Sequence, residues 1–407
     1  MINNSKKNLI DYQLIFILIS LAIISCISIA AADPIITSQS NNYEFFFKQI
    51  QWYSISFIFM FFIYFFGSER IYLFIWWIYG ILIILLIGLA IHQQAIDYGL
   101  IASNQSFIPF ASYVNGATRW YVLPGIGSFQ PSEFTKIIII ITLTRIIKNH
   151  NNIYQKHTFS KDLLLVFKVL IVAIPPAILI FLQKESGITL IILISLIFLF
   201  FGSGIQMRWF IIGFTIIALA IGLLTYFYIF NHDIFASLIK GYRLGRFYGW
   251  LAPEATYSDY GYQLFNALLS FGSSGLFGHG FQSILMLFPE PQTDFIFAVI
   301  LQNFGFIGGF ITLVFTILIN IKILMIGLKS RVEEHKYLAF GICGLLITQQ
   351  FWNISMILGL LPISGIALPF ISYGGSSLLS YMLVMGIFLD IERKNRIYRA
   401  KHAKYTL

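Results

Sequence analysis

Charge is what this sequence has least of. Only 11% of its 407 residues are Asp, Glu, Lys or Arg, against 58% hydrophobic ones. A soluble domain usually carries about 25% charged residues. So few charges cannot cover a water-facing globule of this length. Cysteine is nearly missing as well. Cys26 and Cys343 sit far apart inside apolar runs, which excludes a disulfide framework and argues against a Cys-based metal site. No Gly-rich loop ending in Gly-Lys-Ser/Thr is present, which argues against ATP-driven pumping. The histidines show no HExxH spacing, and no GxSxG elbow precedes a helix. Ionisable residues are scarce at the centres of the apolar runs, which weakens the case for an ion-coupled pump or a voltage sensor.

What is present is a succession of long apolar runs, with a mean hydropathy of +0.82 over the chain. A bilayer core requires about 20 predominantly apolar residues per helix. Runs of that kind fall at 13–32, 50–67, 71–91, 134–147, 162–182, 187–204, 208–230, 294–321, 337–361 and 368–391. The expectation is an all-α polytopic membrane protein of about ten transmembrane helices, forming one membrane domain over 1–407. The first run also has features of a signal peptide, with Lys6 and Lys7 before it and Ala30-Ala31-Ala32 near its end. Retention as a span is the favoured reading, because its loss would leave an odd number.

The net charge of +9 is distributed unevenly. Lys6, Lys7, Arg70, the stretch Arg145 to Lys161, Arg208, Lys322 to Lys336 and Arg393 to Lys404 share one side of a ten-span topology. The positive-inside rule makes that side the cytoplasm and places both termini there, so the charge reports orientation and calls for no nucleic acid. Lys48, Arg119, Lys184, Lys240, Arg243 and Arg246 fall on the other side. That outer side receives the two long connections, 92–133 and 231–293, the second just before the eighth helix. Long loops of this kind are commonly functional. The apolar stretch Leu264 to Phe271 is too short to span and is expected to form an interfacial or re-entrant helix.

Three segments carry candidate chemistry. In NGATRWYVLPGIGSFQPSEFTK (115–136), Arg119 supplies a cation and Trp120 a flat amphipathic ring. Pro131, Ser132 and Glu133 read as a helix start, with Ser132 as the cap. Two readings stand for each: Trp120 as an interface anchor or a substrate contact, and Glu133 with Lys136 as a neutralised pair or part of a site. In FPEPQTDFIFAVI (288–300), Asp294 opens an apolar helix with Thr293 before it and Glu290 upstream. It is either a helix cap or an ionisable group held at membrane depth for function. In NISMILGLLPISGIALPFISYGGSSLLSYM (353–382), prolines and glycines interrupt two spans. The backbone groups they free need partners inside the protein or in a wet cavity. Asn353, Ser364, Ser372, Tyr373, Ser376 and Ser377 can supply them, and helix packing through small residues is the alternative use for the serines.

Together these strings resemble the SEDS family of shape, elongation, division and sporulation proteins, which includes RodA and FtsW. LLPISGIALPFISYGGSSLL (360–379) and PEPQTDFIFAVI (289–300) are the most specific, with FQPSEFTK (129–136) and GYQLFNALLSFGSSGLFGHG (261–280) in family order. The resemblance implies a peptidoglycan glycosyltransferase that polymerises lipid II by inversion at the outer face of the membrane, alongside a class B penicillin-binding protein. By motif it makes Asp294 the catalytic carboxylate, Trp120 a functionally important ring, and Glu133 and Lys136 cavity residues. Arg119, Lys136, Arg243 and Arg246 become candidate holders of the lipid diphosphate, with Thr293, Ser372 and Ser376 as further substrate contacts. No cofactor is required with certainty, and Mg or Mn bridging Asp294 to diphosphate is a candidate. A lipid II flippase and a non-catalytic division or sporulation scaffold are the rival readings. The chain departs from the family pattern at Gln302 and Asn303, where two Glu are usual, at Gln183-Lys184-Glu185-Ser186-Gly187, where Gln-Pro-Asp-Leu-Gly is common, and in a compact stretch between Gly280 and Pro289.

Overall fold

The structure, a computed structural model, describes residues 9–36, 43–102, 105–125, 127–239, 241–287 and 289–402. Lys6, Lys7, Lys240 and Lys404 lie outside the described residues, as do the side chains of Tyr242 and Arg243.

Apolar runs become helices because a bilayer offers backbone N–H and C=O groups no partner. Among the described residues, nine helices are long and apolar enough to cross a membrane by length and composition. They are α1 (Tyr12–Ile36), α2 (Glu44–Phe66), α3 (Ser68–Asp97), α5 (Phe159–Leu182), α6 (Ser186–Ser203), α7 (Met207–Phe230), α11 (Ile296–Leu328), α12 (Glu333–Ile357) and α13 (Gly375–His402). A tenth, α4 (Pro131–Ile153), runs the same course. Near its start Ser132 donates to Glu185, and near its end Lys148 meets Glu334, so it joins the two ends of the bundle. Protein surrounds its middle. From Ile137 to Thr144 every side chain is buried.

The first of the two long connections, between the third and fourth spans, contains a small sheet. Residues 92–133 contain β1 (Ala111–Val114), β2 (Ala117–Leu123) and β3 (Gly127–Phe129), an antiparallel sheet in the order β1-β2-β3. Its register pairs Ser112 with Trp120 and Tyr121 with Phe129. Thr118 N–H donates to Gln93 Oε1 (2.7 Å) and Tyr121 O–H to the Leu85 carbonyl (2.8 Å), which fixes the sheet to the end of α3. The second long connection holds α8 (His232–Leu238), α9 (Tyr242–Leu251) and α10 (Tyr262–Ser273). The helix α10 matches the short helix expected around Leu264 to Phe271.

Three boundaries differ from the sequence expectation. The last helix starts at Gly375, not 368, because residues 361–374 run without regular helix. The freed backbone of that segment is satisfied by neighbours. Asn353 Nδ2 donates to the Ile366 carbonyl (2.7 Å), Ser25 Oγ to the Ile371 carbonyl (2.6 Å), and Tyr53 O–H to the Phe370 carbonyl. The eighth span breaks at Gly305, whose φ of +64° is left-handed. Ser132 is not the cap of α4. Its position lies inside the helix, Gln130 precedes Pro131 at the N-cap, and the Ser132 hydroxyl is donated to Glu185.

Candidate functional site

Asp294 sits one residue outside the N-cap of α11, which is Phe295, and the helix has no side-chain cap. The capping reading therefore fails on geometry. The main chain of Asp294 is held from below, with Asn353 Nδ2 donating to its carbonyl (2.9 Å). On either side, Ser372 Oγ donates to the Thr293 carbonyl (2.7 Å) and Tyr373 N–H to the Gln292 carbonyl (2.8 Å). These bonds dock the non-helical stretch of 361–374 against the start of α11. They also bring Gly365 to the carboxylate. A Cβ built there would stand 3.3 Å from Asp294 Oδ2, at a φ of +70°. Among the described residues no hydrogen bond reaches the carboxylate itself. Burial pushes its pKa up to about 6, while the fields of Arg246 and Arg119 pull it down and Glu290 pushes it up.

A second carboxylate belongs to the same region. Glu185, just before α6, is buried, and its oxygens accept from Gln130 Nε2 and from Ser132 Oγ (2.7 Å). Burial pushes it up to about 7, with Arg119 and Ser132 acting to lower it. Gln130 in turn accepts from Trp120 Nε1 (3.1 Å), so the indole is aimed through Gln130 by Glu185. The Arg119 guanidinium donates to the Lys184 carbonyl (2.9 Å) and stands 5.8 Å from the Trp120 ring centre. Arg119 therefore influences both carboxylates. Sequence reading gave Glu185 no role, because Lys184-Glu185-Ser186 was visible only as a departure from a familiar string. A carboxylate directly before an apolar helix was the signal available, as it was for Asp294.

Glu133 and Lys136 form an ion pair of 2.7 Å, with Lys136 completely buried. Lys136 Nζ also donates to Tyr381 O–H (2.9 Å), which donates to Gln349 Oε1 (3.0 Å). The pair thus ties α4 to α13 and α12. Ser376 Oγ accepts from Gln130 N–H (3.0 Å) and donates to the Ser128 carbonyl (3.1 Å), while Ser372 Oγ also accepts from Leu368 N–H (2.7 Å). Both hydroxyls are engaged within the chain. Arg246 lies on α9 and Thr293 donates to the Glu290 carbonyl (3.2 Å). The side chain of Arg243 lies outside the described residues.

The departures at Gln302 and Asn303 also find a structural use. Met286 N–H donates to Gln302 Oε1 (3.2 Å), Gln302 Nε2 to the Ser283 carbonyl (2.7 Å), and Ser283 N–H to Asn303 Oδ1 (3.0 Å). These amides hold the compact stretch after Gly280 against the break at Gly305. There His279 N–H reaches the Gln302 carbonyl (2.8 Å) and Phe306 N–H the Gly275 carbonyl (3.0 Å). Neutral side chains that both donate and accept suit that role better than carboxylates.

A divalent ion has one anchoring carboxylate here, Asp294. Among the described residues no group of three His, Cys, Asp or Glu converges. That donor set fits only an ion whose other ligands are water and substrate oxygens, the usual manner of Mg²⁺ on a diphosphate.

Fold and site together define a polytopic membrane protein with two carboxylates, both under the influence of Arg119, at one mouth of its helix bundle. The profile of the cell cycle protein family of FtsW, RodA and SpoVE matches residues 11–397. The chain belongs to that family. It is 33% identical over 305 residues to a probable peptidoglycan glycosyltransferase FtsW of Haemophilus influenzae, covering 73% of each chain. It is 32% identical over 292 residues to the peptidoglycan glycosyltransferase MrdB of Escherichia coli K12, covering 71% of this chain and 74% of that one. Among solved structures, a chain of a peptidoglycan synthase complex that coordinates polymerization and crosslinking superposes with a TM-score of 0.73. It is 21% identical, with 95% of this chain and 98% of that chain covered. Thermus thermophilus RodA superposes with a TM-score of 0.63 at 20% identity, covering 95% and 97%.

Proposed function

We propose that this chain is a peptidoglycan glycosyltransferase that polymerises lipid II at the outer face of the cytoplasmic membrane. The observation that carries the reading is Asp294, a carboxylate raised to about 6 in the fields of Arg246 and Arg119, in a family whose relatives are named peptidoglycan glycosyltransferases. A base poised near the working pH is the one that serves proton transfer best. The acceptor sugar hydroxyl gives its proton to the Asp294 carboxylate as its oxygen bonds to the donor anomeric carbon. The bond from that carbon to the diphosphate oxygen breaks, and the lipid diphosphate leaves with the electron pair. A single displacement inverts the anomeric centre.

The leaving group is already a stable anion, so cations serve it better than a general acid does. Arg119 and Arg246 take that role, and a divalent ion on the diphosphate would add charge there. Trp120, aimed by Gln130 and Glu185, offers a flat face to a sugar ring. Ser372 and Ser376 act by holding the segments on which the reacting groups sit. Both termini face the cytoplasm, and the apolar side of the bundle receives the polyprenyl tail. The partner is a class B penicillin-binding protein, in keeping with the synthase complex among the solved relatives. The hydrogen bonds of Gln302 and Asn303 support reading these departures as structural, and complementation by Asp294→Ala would instead identify a scaffold.

Purified protein with its cognate transpeptidase should convert labelled lipid II into glycan strands. Movement of lipid II across vesicles without strand formation, unaffected by Asp294→Asn, would instead identify a flippase.

A further inference from the structure

At the end of the bundle away from Asp294 lies a cavity of about 650 Å³. The helix α11 links the two regions, since beyond its break at Gly305 it runs on to Lys329 at the cavity wall. Six cations line the cavity: Arg145, Lys148, Lys329, Arg331, Lys394 and Arg399. Only two carboxylates do, Glu69 and Glu334. Internal pairing absorbs part of that charge. Lys148 is held by Glu334 (2.6 Å), Lys394 by Glu69 (2.9 Å) and Asp390 (3.1 Å), and Arg399 by Glu392 (2.9 Å). Among the described residues neither Lys329 nor Arg331 has a carboxylate partner. Arg331 lies 3.9 Å from the Tyr398 ring centre, which holds its guanidinium in place and leaves its N–H groups to donate.

The wall has a lipid-facing component too. Leu73 and Val332 line the cavity and are exposed. A cavity lined by an excess of cations together with exposed apolar residues matches a molecule with an anionic head and an acyl tail.

We propose that this cavity binds the phosphate of an anionic phospholipid headgroup, with Lys329 and Arg331 as its principal donors. Ser330, between them on the same wall, is engaged with His335 Nδ1 (2.8 Å) and accepts from Val332 N–H (3.2 Å), which fixes the turn that carries both cations. Basic pockets between transmembrane helices recognise phosphate headgroups through such charge-assisted bonds. The inference is independent of the polymerase reading, since it concerns groups at the opposite end of the molecule.

The test uses full-length protein in nanodiscs of phosphatidylcholine, with and without a few per cent phosphatidylglycerol or cardiolipin. Bound lipid is counted by native mass spectrometry, and melting is followed in the same discs. The wild type should retain anionic lipid and melt higher in its presence. Lys329→Gln or Arg331→Gln should bind about fivefold more weakly, and the pair together more weakly still. Arg208→Gln and Lys156→Gln, basic positions that do not line the cavity, should behave as wild type. Melting in pure phosphatidylcholine reports folding, and if the double variant is unstable there the single ones decide the matter. Equal retention by wild type and variants overturns the proposal. Stabilisation by inorganic phosphate or pyrophosphate in neutral discs, equal to that by anionic lipid, also overturns it and makes the ligand a soluble anion.

Discussion

Burial gives Asp294 two opposed consequences. A carboxyl whose folded pKa is about 6, above its ordinary 3.8, favours the folded state when protonated. That stabilisation is complete below the ordinary value and is lost as pH rises through about 6. At neutral pH the ionised group therefore weakens the fold, by about 1–3 kcal/mol at the conversion of 1.36 kcal/mol per unit. Under the proposed role activity runs the other way, because a general base must be ionised. Strand formation should fall about tenfold per unit of pH below about 6, read in a lipid II assay from pH 5 to 8. The substitution Asp294→Asn should abolish turnover and raise the melting temperature at pH 7.5, a pairing that simple misfolding cannot produce. Glu185 acts one step back. It touches Gln130 and Ser132, and removing it in Glu185→Ala leaves two donors without an acceptor, at about 1–3 kcal/mol. If its role is to aim Trp120, Glu185→Gln should restore most of the melting temperature and part of the KM, while Trp120 fluorescence returns toward wild type.

At the scale of elements, the Glu133–Lys136 pair shows what a membrane interior asks of charge. Lys136→Ala leaves Glu133 buried without its cation and should cost about 3–5 kcal/mol in urea or thermal unfolding. Replacing both, as Glu133→Leu with Lys136→Met, should recover much of that loss. A double variant as unstable as the single one would show that the pair does more than neutralise itself. The break in α11 is a second elemental device. At Gly305 the φ of +64° favours glycine, and a Cβ there would meet the Gly278 nitrogen at 2.4 Å. Gly305→Ala should therefore unseat the stretch 275–286 and lower expression. The sequence signalled neither the break nor the clamp, because a run from 294 to 321 reads as one uninterrupted apolar helix. The partner of the break lies some 27 residues upstream, beyond any local pattern. Ser372 and Ser376 illustrate the same limit. Their hydroxyls were open to substrate or to packing, and only the three-dimensional path of 361–374 assigned their bonds.

Across the whole molecule, hydropathy was sufficient to read the helical body. The nine apolar spans follow from the cost of an unpaired peptide in hydrocarbon, which any long apolar run must avoid. The small sheet of 111–129 was not legible, since its strands are short and their register depends on contacts with α3. Glycine-rich composition said only that the loop was not an ordinary linker. At the site, Asp294, Trp120 and Arg119 were legible as a carboxylate at a helix mouth and an aromatic-cation pair. Glu185 was not, because its importance lies in a hydrogen-bond chain that joins α6, α4 and β2. The two ends of the bundle are chemically distinct, with the raised carboxylates Asp294 and Glu185 at one and a basic cavity at the other. Cysteines introduced at Thr256 and Lys401 should react with an impermeant reagent only from outside and only from inside, respectively. Labelling of Lys401→Cys but not of Thr256→Cys in intact cells would reverse the orientation.

The central claim is that the Asp294 carboxylate performs the transfer. Its most direct measurement is the rate at which purified protein, reconstituted with its transpeptidase, turns labelled lipid II into glycan strands, compared with Asp294→Asn in the same membranes. The expected result is loss of at least a hundredfold in rate with a melting temperature equal to or above the wild type. A folded Asp294→Asn protein that polymerises at the wild-type rate would contradict the account.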